Sequence, residues 1–452
     1  MNKNIKVLKF GGTSLGTPEA RAQAAMRVIS AKEQGFSPVV VVSAIGRKGS
    51  PYATDSLIQE LKDIDPTTKP DAREMDLLLA CGEILSAVIF SQTLRSLGHP
   101  AVSFRGGQAG IRTDGVYGNA RIVSINPKRV FEVIEEGNIP VICGFQGIFV
   151  PEDGPPGGEL TTLGRGGSDT TAAAMGAALS ASAVEIFTDV DGVKTADPDF
   201  VPTAPTLRRV SYEEVAEIAH LGAKVLHPRA AEVAMNFKIP LWVKNTFGQD
   251  EGTEIVSSSE VTGRRVTGVT HSGKLVYLEF DLKNAPEAHR AKLQSCVYSM
   301  MARYGVNLFM INLSPSSIGF AVPRSQYPMV EDLLDGLVAP INEGEIAIYM
   351  LQIGAKLSKE AETQAELLKP LGELRSVPLA LTENCTMISL VGYDFIQQPS
   401  VFYDVLSSLH DNQIPVLQTT NSELSLSCLI PESEMERAVS ILHRRFDLAK
   451  TR

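Results

Sequence analysis

The sequence predicts an α/β protein: a mostly parallel central sheet sandwiched by helices, followed by two smaller ferredoxin-like βαββαβ units. Two observations lead to this fold class. Short apolar runs alternate with helical patterns up to about residue 247, and smaller β/α units begin after a polar stretch at 248–262 that is rich in Ser and Gly. At 452 residues, the chain is also too long for a single hydrophobic core. We therefore expect four segments, at 1–250, 262–342, 343–380 and 381–452.

The first part shows the alternation of strands and helices that is typical of a parallel sheet. Buried strands are predicted at Ile5–Lys9, Val39–Ser43, Ala101–Phe104, Val141–Gly144, Glu185–Asp189 and Leu241–Val243. Helices are predicted at Thr17–Gln34, Asp71–Leu97, Lys128–Glu136, Ser168–Ser180, Tyr212–Ile218 and Pro228–Phe237. Thr17 is the expected N-cap of the first helix, and Pro18 is its first residue. Such sheets bind their ligands at the carboxyl ends of the strands, so the loops there are the expected site.

The second part predicts a strand–helix–strand–strand–helix unit that is repeated with low similarity. The first copy is predicted at Lys274–Asp281, Ala288–Tyr304, Val306–Asn312 and Ile318–Val322. The second copy is predicted at Thr386–Val391, Ser400–Asn412, Val416–Thr420, Leu424–Leu429 and Ser433–Phe446. Between the copies, an additional strand is expected at Ile346–Ile353 and a helix at Ser358–Leu371.

The composition is that of an ordinary globular protein, with 44% hydrophobic and 21% charged residues. A formal net charge of −10 leaves no basic surplus to neutralise phosphates, which argues against nucleic-acid and membrane partners. The N-terminus runs into a strand without a signal region, and no apolar run of roughly 18 residues is apparent, so a cytoplasmic protein is expected. The five scattered cysteines are expected to be buried, reduced thiols, and the seven histidines lack metal-ligand spacing, so no metal site is expected.

The most informative motif is the glycine-rich run Thr161–Thr171, which precedes an alanine-rich apolar stretch. This order predicts a loop that opens a helix near Ser168 or Asp169. The free N–H groups of a helix start bind anions, and Arg165 can hold a carboxylate or phosphate through two hydrogen bonds. In this interpretation Asp169 orients Lys9 or another cation. The alternative is a flexible surface loop in which Asp169 only caps the helix.

A second motif, Lys9-Phe-Gly-Gly-Thr-Ser14, follows the first strand directly. Backbone N–H groups of glycines can cradle phosphate oxygens where no Cβ intervenes, and a lysine can neutralise the charge that develops on a transferred phosphoryl group. The lysine precedes the glycines, so the motif differs from a P-loop. Taken alone, the hexapeptide is equally well interpreted as a tight turn with a solvated lysine.

Two further segments carry side chains that could contact ligands. Thr188 and Asp189 end a predicted strand and could hydrogen-bond a nucleotide, while Lys194 could meet its phosphates. Taken alone, an ordinary Asp-Gly turn is the better interpretation of that segment. Glu83 lies in a predicted helix that is apolar on nearly every face. A carboxylate in a helix is usually solvated, but a partly buried one needs a partner, and a substrate ammonium group is a plausible one.

Taken together, these motifs resemble those of the monofunctional aspartate kinases, or aspartokinases, of the amino-acid kinase superfamily. The matching segments occur in the family's order and are Lys9–Ser14, Gly82-Glu83, Thr162–Thr171, Phe187–Gly192 and Gly222–Arg229. They span roughly residues 5–256. Sister kinases for acetylglutamate, glutamate or UMP share the fold but do not carry the whole set.

The resemblance implies MgATP-dependent phosphorylation of the side-chain carboxylate of L-aspartate to 4-phospho-L-aspartate, the first step towards lysine, threonine and methionine. It implies that Lys9 stabilises the transferring phosphoryl group and that Asp169 organises this lysine. ATP, which would carry the Mg²⁺, would be contacted by Gly11, Gly12, Thr13, Ser14, Thr188, Asp189, Lys194, Lys224 and Val225. L-Aspartate would be held by Ser43, Thr54, Glu83, Arg165, Gly166, Gly167 and Ser168, with Glu83 on its amino group. A carboxylate is already nucleophilic at pH 7, so the reaction needs no general base.

The second part resembles the pair of ACT domains that aspartokinases use for feedback control and dimerisation. The second unit fits well at Gln418–Ser427 and Leu442–Phe446, whereas the first has Lys283–Ala288 where relatives carry Pro-Gly. The resemblance implies a homodimer or higher homo-oligomer. It also implies an inhibitor amino acid, which could be lysine, threonine or diaminopimelate.

Two positions in the first part depart from the family pattern. Asp199 stands where relatives carry an ATP-binding arginine, and Val243-Lys-Asn245 replaces Val-Arg-Ser. We hypothesise that Lys194 takes the role of the missing arginine. The alternatives are an amino-acid-sensing protein with a decayed kinase domain, which Asp199 favours and the retained catalytic pair disfavours, or a kinase for another acidic amino acid.

Overall fold

The computed structural model describes residues 4–65, 68, 70–152, 157–223, 225–261, 263–334, 338–343, 345–353, 363, 366 and 373–450. The chain divides into two compact units. The first comprises Met1–Gly268 with Val391–Tyr393 and Asp447–Arg452, and the second comprises Val269–Leu390 with Asp394–Phe446. The finer division of the second part at 342 and 380 remains a prediction.

The first unit is built on an eight-stranded sheet and a smaller four-stranded sheet. Its strands are β1 (Ile5–Phe10), β2 (Ser37–Val42), β3 (Ala101–Phe104), β4 (Ile111–Thr113), β5 (Ile122–Ile125), β6 (Ile139–Cys143), β7 (Gln146–Phe149), β8 (Glu159–Thr162), β9 (Ala183–Thr188), β10 (Arg209–Ser211), β11 (Leu241–Asn245) and β12 (Thr253–Val256). The large sheet has the order β10-β12-β11-β9-β1-β2-β6-β3, and all neighbours are parallel except β11 and β12. The small sheet has the order β5-β4-β7-β8. The predicted mostly parallel sheet is thereby confirmed.

Seven helices are described in this unit. They are α1 (Pro18–Glu33), α2 (Thr54–Ile64), α3 (Ala72–Ser96), α4 (Lys128–Glu135), α5 (Gly167–Ala178), α6 (Tyr212–His220) and α7 (Pro228–Phe237). Thr17 caps α1 as expected, because its side chain accepts a hydrogen bond from the N–H of Ala20 and Pro18 opens the helix. Helix α2 was not predicted from the sequence.

Strand β1 shows why helices cover both faces of the large sheet. Its alternating side chains enter two different core clusters, with Ile5 and Val7 on one face and Leu8 and Phe10 on the other. The first cluster includes residues of α5, α6 and α7, and the second includes residues of α1 and α3. A strand that is apolar on both faces is buried only between two helical layers.

Helix α3 has the length and apolar composition of a membrane span, and half of its most apolar window is buried within the protein. The expectation that the chain contains no apolar run of this length is therefore wrong for Ala72–Ser96. Its residues Phe90 and Leu94 lie fully buried in the core cluster of the sheet, which is the environment of a core helix.

The second unit contains a nine-stranded sheet with helices. Strand β13 (Val266–His271) leads into it, and its further elements are β14 (Leu275–Asp281), α8 (Glu287–Arg303), β15 (Phe309–Ser314), β16 (Ser317–Pro323), α9 (Tyr327–Leu334), β17 (Val338–Glu343), β18 (Glu345–Ile353), β19 (Glu373–Gly392), α10 (Pro399–Asp411), β20 (Gln418–Asn421), β21 (Ser425–Pro431) and α11 (Met435–Arg445). The predicted strand Ile346–Ile353 corresponds to β18. The predicted helix Ser358–Leu371 lies outside the described residues apart from positions 363 and 366.

The two predicted βαββαβ units share one sheet through the long strand β19. The order β15-β16-β14-β19-β18-β17 places residues 379–382 of β19 beside β14, while β21 pairs with β19 as well. Strand β17, which follows α9 in the chain, lies at the end of this order opposite to β15.

The cysteines are only partly as expected. Cys143, Cys385 and Cys428 are buried, and burial raises the pKa of the Cys143 and Cys428 thiols to about 12. Cys81 is exposed and Cys296 is half-buried, so the expectation that all five are buried is wrong for these two. All five are free thiols.

Candidate active site

The residues predicted to bind substrate converge on a cleft of about 740 Å³ in the first unit. Its lining includes Lys9, Gly12, Ser43, Thr54, Glu83, Arg165, Gly166, Gly167, Ser168 and Asp169. A larger cleft of about 820 Å³ lies beside β10, β11 and β12, around Trp242 and Arg264, and its lining contains none of the predicted residues. The smaller cleft is therefore the candidate active site.

The centre of the cleft is an ion pair between Lys9 and Asp169. The Nζ atom of Lys9 lies 2.6 Å from Oδ1 of Asp169, and both residues are buried. Lys9 comes from the carboxyl-terminal half of β1, and Asp169 comes from the first turn of α5, where the helix dipole favours a carboxylate. The sequence separation of 160 positions is bridged by the adjacent strands β1 and β9, because α5 leads directly into β9. The pair places an oriented ammonium group at the end of the sheet where such folds bind ligands.

Glycines shape the turn that follows Lys9. A Cβ on Gly11 would lie 3.8 Å from the Nζ atom of Lys9, so a side chain there would fill the space beside the ammonium group. A Cβ on Gly12 would meet the carbonyl oxygens of Ala44 and Gly46 at 2.6 and 2.5 Å, so this position requires glycine. The turn thus brings the backbone of two loops together next to the Lys9 ammonium group.

Ser14 forms hydrogen bonds within the protein. It is fully buried, and its hydroxyl shares a hydrogen bond of 2.6 Å with the hydroxyl of Thr246. Its backbone N–H donates to the carbonyl of Gly11. These bonds hold the turn, and the expected contact of Ser14 with phosphates stays a prediction, while Thr13 is half-buried beside it.

Glu83 lies on α3 and is only 2% exposed. Its Oε1 atom accepts a hydrogen bond of 2.9 Å from the N–H of Ala44, and its Oε2 atom has no hydrogen-bond partner among the described residues. Burial raises the pKa of this carboxyl to about 8, although the Ala44 hydrogen bond acts in the opposite direction. Glu83 lines the cleft, and a buried carboxylate oxygen without a partner is a site for a cationic group.

The glycine-rich loop presents Arg165 to the cleft. The side chain of Arg165 is 91% exposed, and its Nη2 atom lies 3.8 Å from Oδ1 of Asp55, a weak surface contact. Asp55 belongs to α2, whose first residue is Thr54, while Ser43 directly follows β2. An arginine without a close partner can hold a carboxylate through two hydrogen bonds.

The start of α5 depends on two glycines and on Ser168. Gly166 has a φ of 69° in the left-handed region, and a Cβ there would lie 2.1 Å from the ring of His227. Gly167 is the first residue of α5, one position before the predicted start, and Ser168 is buried behind it. Only glycine fits the position of Gly166. The N–H groups of Gly167 and Asp169 donate to the carbonyls of Gly164 and Gly166, so the loop itself satisfies them and the expected row of free N–H groups is not present at these two positions.

The segment Gly222–Arg229 supports the glycine-rich loop. The backbone N–H of His227 donates to Oδ2 of Asp169 at 3.3 Å, and the Arg229 guanidinium donates to the carbonyl of Leu163 at 3.2 Å. Burial lowers the pKa of the His227 imidazole, which keeps it neutral. Val225 packs against the core, and Lys224 lies outside the described residues.

The predicted nucleotide residues lie at the end of β9 and in the loop that follows it. The Thr188 hydroxyl donates to Asp189, and Asp189 also pairs with Arg47 from the loop after β2. The Nζ atom of Lys194 lies 3.3 Å from the Thr206 hydroxyl. Asp199 is exposed in the same loop, so a negative side chain there faces solvent.

Sequence reasoning missed Asp76 and Arg47, both of which line the cleft. Asp76 precedes Glu83 by seven residues, which places both side chains on one face of a helix, so this spacing was an available signal. Arg47 follows Gly46 in the loop after β2, and no spacing or motif in that loop indicated that its side chain would line the cleft. Among the described residues, no group of three or more His, Cys, Asp or Glu side chains is arranged to hold a metal ion.

The fold and the cleft together define a class: an α/β phosphotransferase of the amino-acid kinase fold. In agreement, the model of the amino acid kinase family matches residues 4–245, and that of the ACT domain matches residues 380–444. Aspartokinase 1 of Bacillus subtilis is 36% identical over 452 residues, which cover 99% of this chain and 100% of that protein. The aspartokinase of Corynebacterium glutamicum is 35% identical over 98% of this chain and 96% of that protein. The chain belongs to the aspartokinases of the amino acid kinase family.

A solved structure agrees with this fold. The crystal structure of E. coli aspartokinase III in complex with aspartate and ADP is similar with a TM-score of 0.69 and 23% identity, covering 98% of this chain and 99% of that chain. At this identity the likeness concerns the fold alone.

Proposed function

We propose that the protein transfers the γ-phosphoryl group of ATP to the side-chain carboxylate of L-aspartate, which yields ADP and 4-phospho-L-aspartate. The observation that carries this proposal is that the Lys9–Asp169 pair and the unpartnered carboxylate oxygen of Glu83 border the same cleft. One end offers a cation for a phosphoryl group, and the other offers an anion for an ammonium group. Membership of the aspartokinases supports the same reaction.

The substrate is proposed to bind by matching its charges to the cleft. The Glu83 carboxylate receives the ammonium group of aspartate, and Arg165 with Ser168 receives carboxylate oxygens. Ser43, Thr54, Gly166 and Gly167 border the same space and complete the set of polar contacts. A substrate without a free ammonium group would leave Glu83 unpaired, which disfavours acetylated amino acids.

The chemistry requires positioning and charge neutralisation. An oxygen of the aspartate side chain forms a bond to the γ-phosphorus while the bond from that phosphorus to the bridging oxygen of ADP breaks. The carboxylate is ionised at neutral pH and needs no base. Lys9 stabilises the negative charge that develops on the phosphoryl oxygens, and Asp169 keeps the ammonium group oriented.

ATP is proposed to bind along the Gly11–Gly12 turn and the end of β9. Gly11 has no side chain beside the Lys9 ammonium group, where a Cβ would lie 3.8 Å from Nζ, and this absence supports phosphate binding at the turn. Thr13, Ser14, Thr188, Asp189, Lys194, Lys224 and Val225 remain the proposed nucleotide contacts. The Mg²⁺ ion is proposed to arrive with the nucleotide, where it would neutralise phosphate charge.

A coupled ADP-release assay with L-aspartate, L-glutamate and N-acetyl-L-glutamate tests the proposal. We expect turnover with aspartate, weaker turnover with glutamate, and none with acetylglutamate. Absence of turnover with all three would favour the amino-acid-sensing alternative. Preferential turnover of glutamate would favour the kinase for another acidic amino acid.

Regulation, assembly and location are further parts of the proposal. The ACT domain model at 380–444 supports feedback inhibition by lysine, threonine or diaminopimelate and assembly into a homodimer or larger homo-oligomer. The proposed location is the cytoplasm, where the product would enter lysine, threonine and methionine synthesis. Repeating the ADP-release assay with each amino acid added, and measuring the mass of the assembly by light scattering, tests regulation and oligomeric state.

A further inference from the structure

Asp76 is a fully buried acid on α3 that belongs to none of the predicted contacts. We infer that Asp76 is a positioning residue: it holds the loop that carries Arg165 at a fixed distance from Glu83. This inference rests on the proposed function, because it concerns how the two groups that bind aspartate are held relative to each other.

The hydrogen bonds of Asp76 support this inference. Its Oδ2 atom accepts from the backbone N–H of Thr162 at 2.8 Å, and its Oδ1 atom accepts from the hydroxyl of Thr162 at 2.6 Å. The backbone N–H of Gly118 lies 3.0 Å from both carboxylate oxygens. Thr162 is the last residue of β8 and directly precedes the glycine-rich loop. One carboxylate therefore connects α3, the end of β8 and the turn between β4 and β5.

Asp76 borders the cleft, so a direct contact with the substrate has to be considered. Its two oxygens accept from three protein donors, with the N–H of Gly118 shared between them, so both oxygens are already engaged within the protein. Glu83, in contrast, has an oxygen with no partner among the described residues. The two acids of α3 thus have different roles, and Asp76 acts through the loop.

The loop is held from its other side as well. The N–H of Ala120 donates to the carbonyl of Thr162 at 2.8 Å. A Cβ on Gly164 would lie 3.2 Å from the carbonyl oxygen of Gly118 and 3.1 Å from the side chain of Asn119, so the loop packs closely on this turn. Asp76 fixes the position of the turn through Gly118. Hydrogen bonds to α3, through Asp76, and to the turn between β4 and β5, through Ala120, therefore fix the start of the loop that carries Arg165.

The geometry of α3 relates the position of Asp76 to that of Glu83, the proposed contact of the substrate ammonium group. Asp76 and Glu83 are seven residues apart, which is two turns or about 10 Å along a helix. Because Asp76 and Glu83 lie on the same continuous helix and both are buried, the anchor at Asp76 sets the distance from Glu83 to the loop with Arg165 and Ser168. A displaced loop would weaken the binding of aspartate more than that of ATP.

The Asp76→Asn variant tests this role. The amide presents an N–H₂ group to a backbone donor, so at least one buried donor loses its acceptor, and such a loss is expected to change affinity about 10- to 100-fold. We expect the KM for aspartate to rise by this factor, the KM for ATP to stay within about twofold, and kcat to fall less than the KM rises. Equal changes in both KM values, or unchanged kinetics in a folded variant, would overturn the inference.

Two further variants keep the test independent of folding defects. Thr162→Val removes only the hydroxyl that donates to Asp76, so we expect a smaller change in the same direction. Glu214→Gln alters another buried acid, which accepts from the N–H of Ser211 and lies outside the cleft lining. It serves as the control for general destabilisation, and we expect both KM values to be unchanged. A specific rise of the aspartate KM in Glu214→Gln would overturn the assignment.

Hydrogen–deuterium exchange separates this inference from the proposed function. In Asp76→Asn, we expect faster exchange in segments 116–120 and 160–168, since the N–H groups of Gly118 and Thr162 are left with a single amide oxygen as acceptor, and unchanged exchange in β1 and β2. Exchange that is unaltered in these two segments overturns the anchor. Absence of aspartate turnover in the wild-type protein would overturn the proposed function instead. The exchange experiment would still show whether Asp76 holds the segments that contain Gly118 and Thr162.

Discussion

The two ends of the cleft differ in how their charges are satisfied. At the phosphoryl end, Lys9 and Asp169 are paired at 2.6 Å within the protein itself. At the amino-acid end, Glu83 keeps a buried oxygen with no partner among the described residues, and Arg165 extends into solvent with only a distant contact to Asp55. The first end, where we propose that the phosphoryl group binds, is assembled by the fold. The second end is proposed to be completed by the charges of the bound amino acid.

This difference indicates how binding and catalysis are divided between the two ends. A preassembled ammonium group stabilises charge in the transition state without reorganisation, so it should act on kcat. Groups that become paired only with a ligand should act on the affinity for that ligand. Variants at the two ends are therefore expected to separate kcat from KM.

The largest effect is expected for Lys9→Met at the phosphoryl end. Removing a cation that stabilises a transferring phosphoryl group lowers kcat by about 10³-fold or more, with a change of only a few fold in the KM for aspartate. Steady-state kinetics by coupled ADP release measures both values. Lys6→Met is the matched control, because Lys6 lies on the same strand but pairs with Glu185. A loss of kcat in Lys6→Met comparable to that in Lys9→Met would contradict the assignment.

The next largest effect is expected for Glu83→Gln at the amino-acid end. Loss of the negative charge that receives the substrate ammonium group should raise the KM for aspartate by about 100-fold, while the KM for ATP stays nearly constant. Isothermal titration of aspartate provides an independent affinity. Should kcat fall strongly with an unchanged aspartate KM, the division between the two ends would be wrong.

A pH dependence of aspartate binding is expected to be smaller. With a pKa of about 8, the Glu83 carboxyl is protonated at lower pH and must lose its proton to pair with an ammonium group. The KM for aspartate should therefore fall as the pH rises from 6 to 8, by at most about tenfold per pH unit, and level off above 8. This slope should disappear in Glu83→Gln, and a slope that persists would assign the effect to another group.

The same titration predicts a trend in stability. Between the ordinary carboxyl pKa of 4.5 and about 8, the native state retains a proton that the unfolded state has lost. The contribution of Glu83 to the free energy of unfolding therefore falls as the pH rises through this window. Urea unfolding of the wild type and of Glu83→Gln at several pH values measures the difference in their free energies of unfolding. The free energy of unfolding of the variant should rise relative to that of the wild type as the pH approaches 8.

The smallest effect is expected in the loop that joins the two ends. Gly166→Ala introduces a Cβ that clashes with the His227 ring at a left-handed backbone position, which should lower the free energy of unfolding by about 1–3 kcal/mol. Gly157→Ala is the control, since a Cβ there meets no atom within 4 Å, and it should change stability by less than about 0.5 kcal/mol. Equal stabilities of the two variants in urea would show that Gly166 is not required by this packing.

Much of the fold could be predicted because periodic patterns are local. The helix Pro228–Phe237 lies at its predicted bounds, and the strand Ala101–Phe104 does as well. Helix α2 was not assigned from the sequence, and none of its residues is fully buried in the structure. The four-stranded sheet was missed because its strands have only three or four residues each. Short strands acquire their partners from tertiary contacts.

The site was predictable as a set of motifs and unpredictable as a set of contacts. The pairing of Lys9 with Asp169 follows the expectation from the sequence, although their catalytic roles stay predictions. Ser14 was expected at the phosphates, but its hydroxyl is bound to Thr246, more than 200 residues away. A motif shows which side chains are present, whereas the partner of a hydroxyl depends on which distant strand packs beside it.

The sequence by itself determined the parallel α/β architecture, the glycine-rich turns and the family to which the chain belongs, because these depend on local patterns and residue types. Tertiary structure decided that Glu83 is buried with one oxygen that has no partner in the described part of the chain, that both oxygens of Asp76 accept hydrogen bonds from the protein, and that β19 joins the two small units into one sheet. The physical reason is that burial and hydrogen-bond saturation are properties of the surroundings. Two acids on one helix, seven residues apart, are chemically alike until the loops around them are in place.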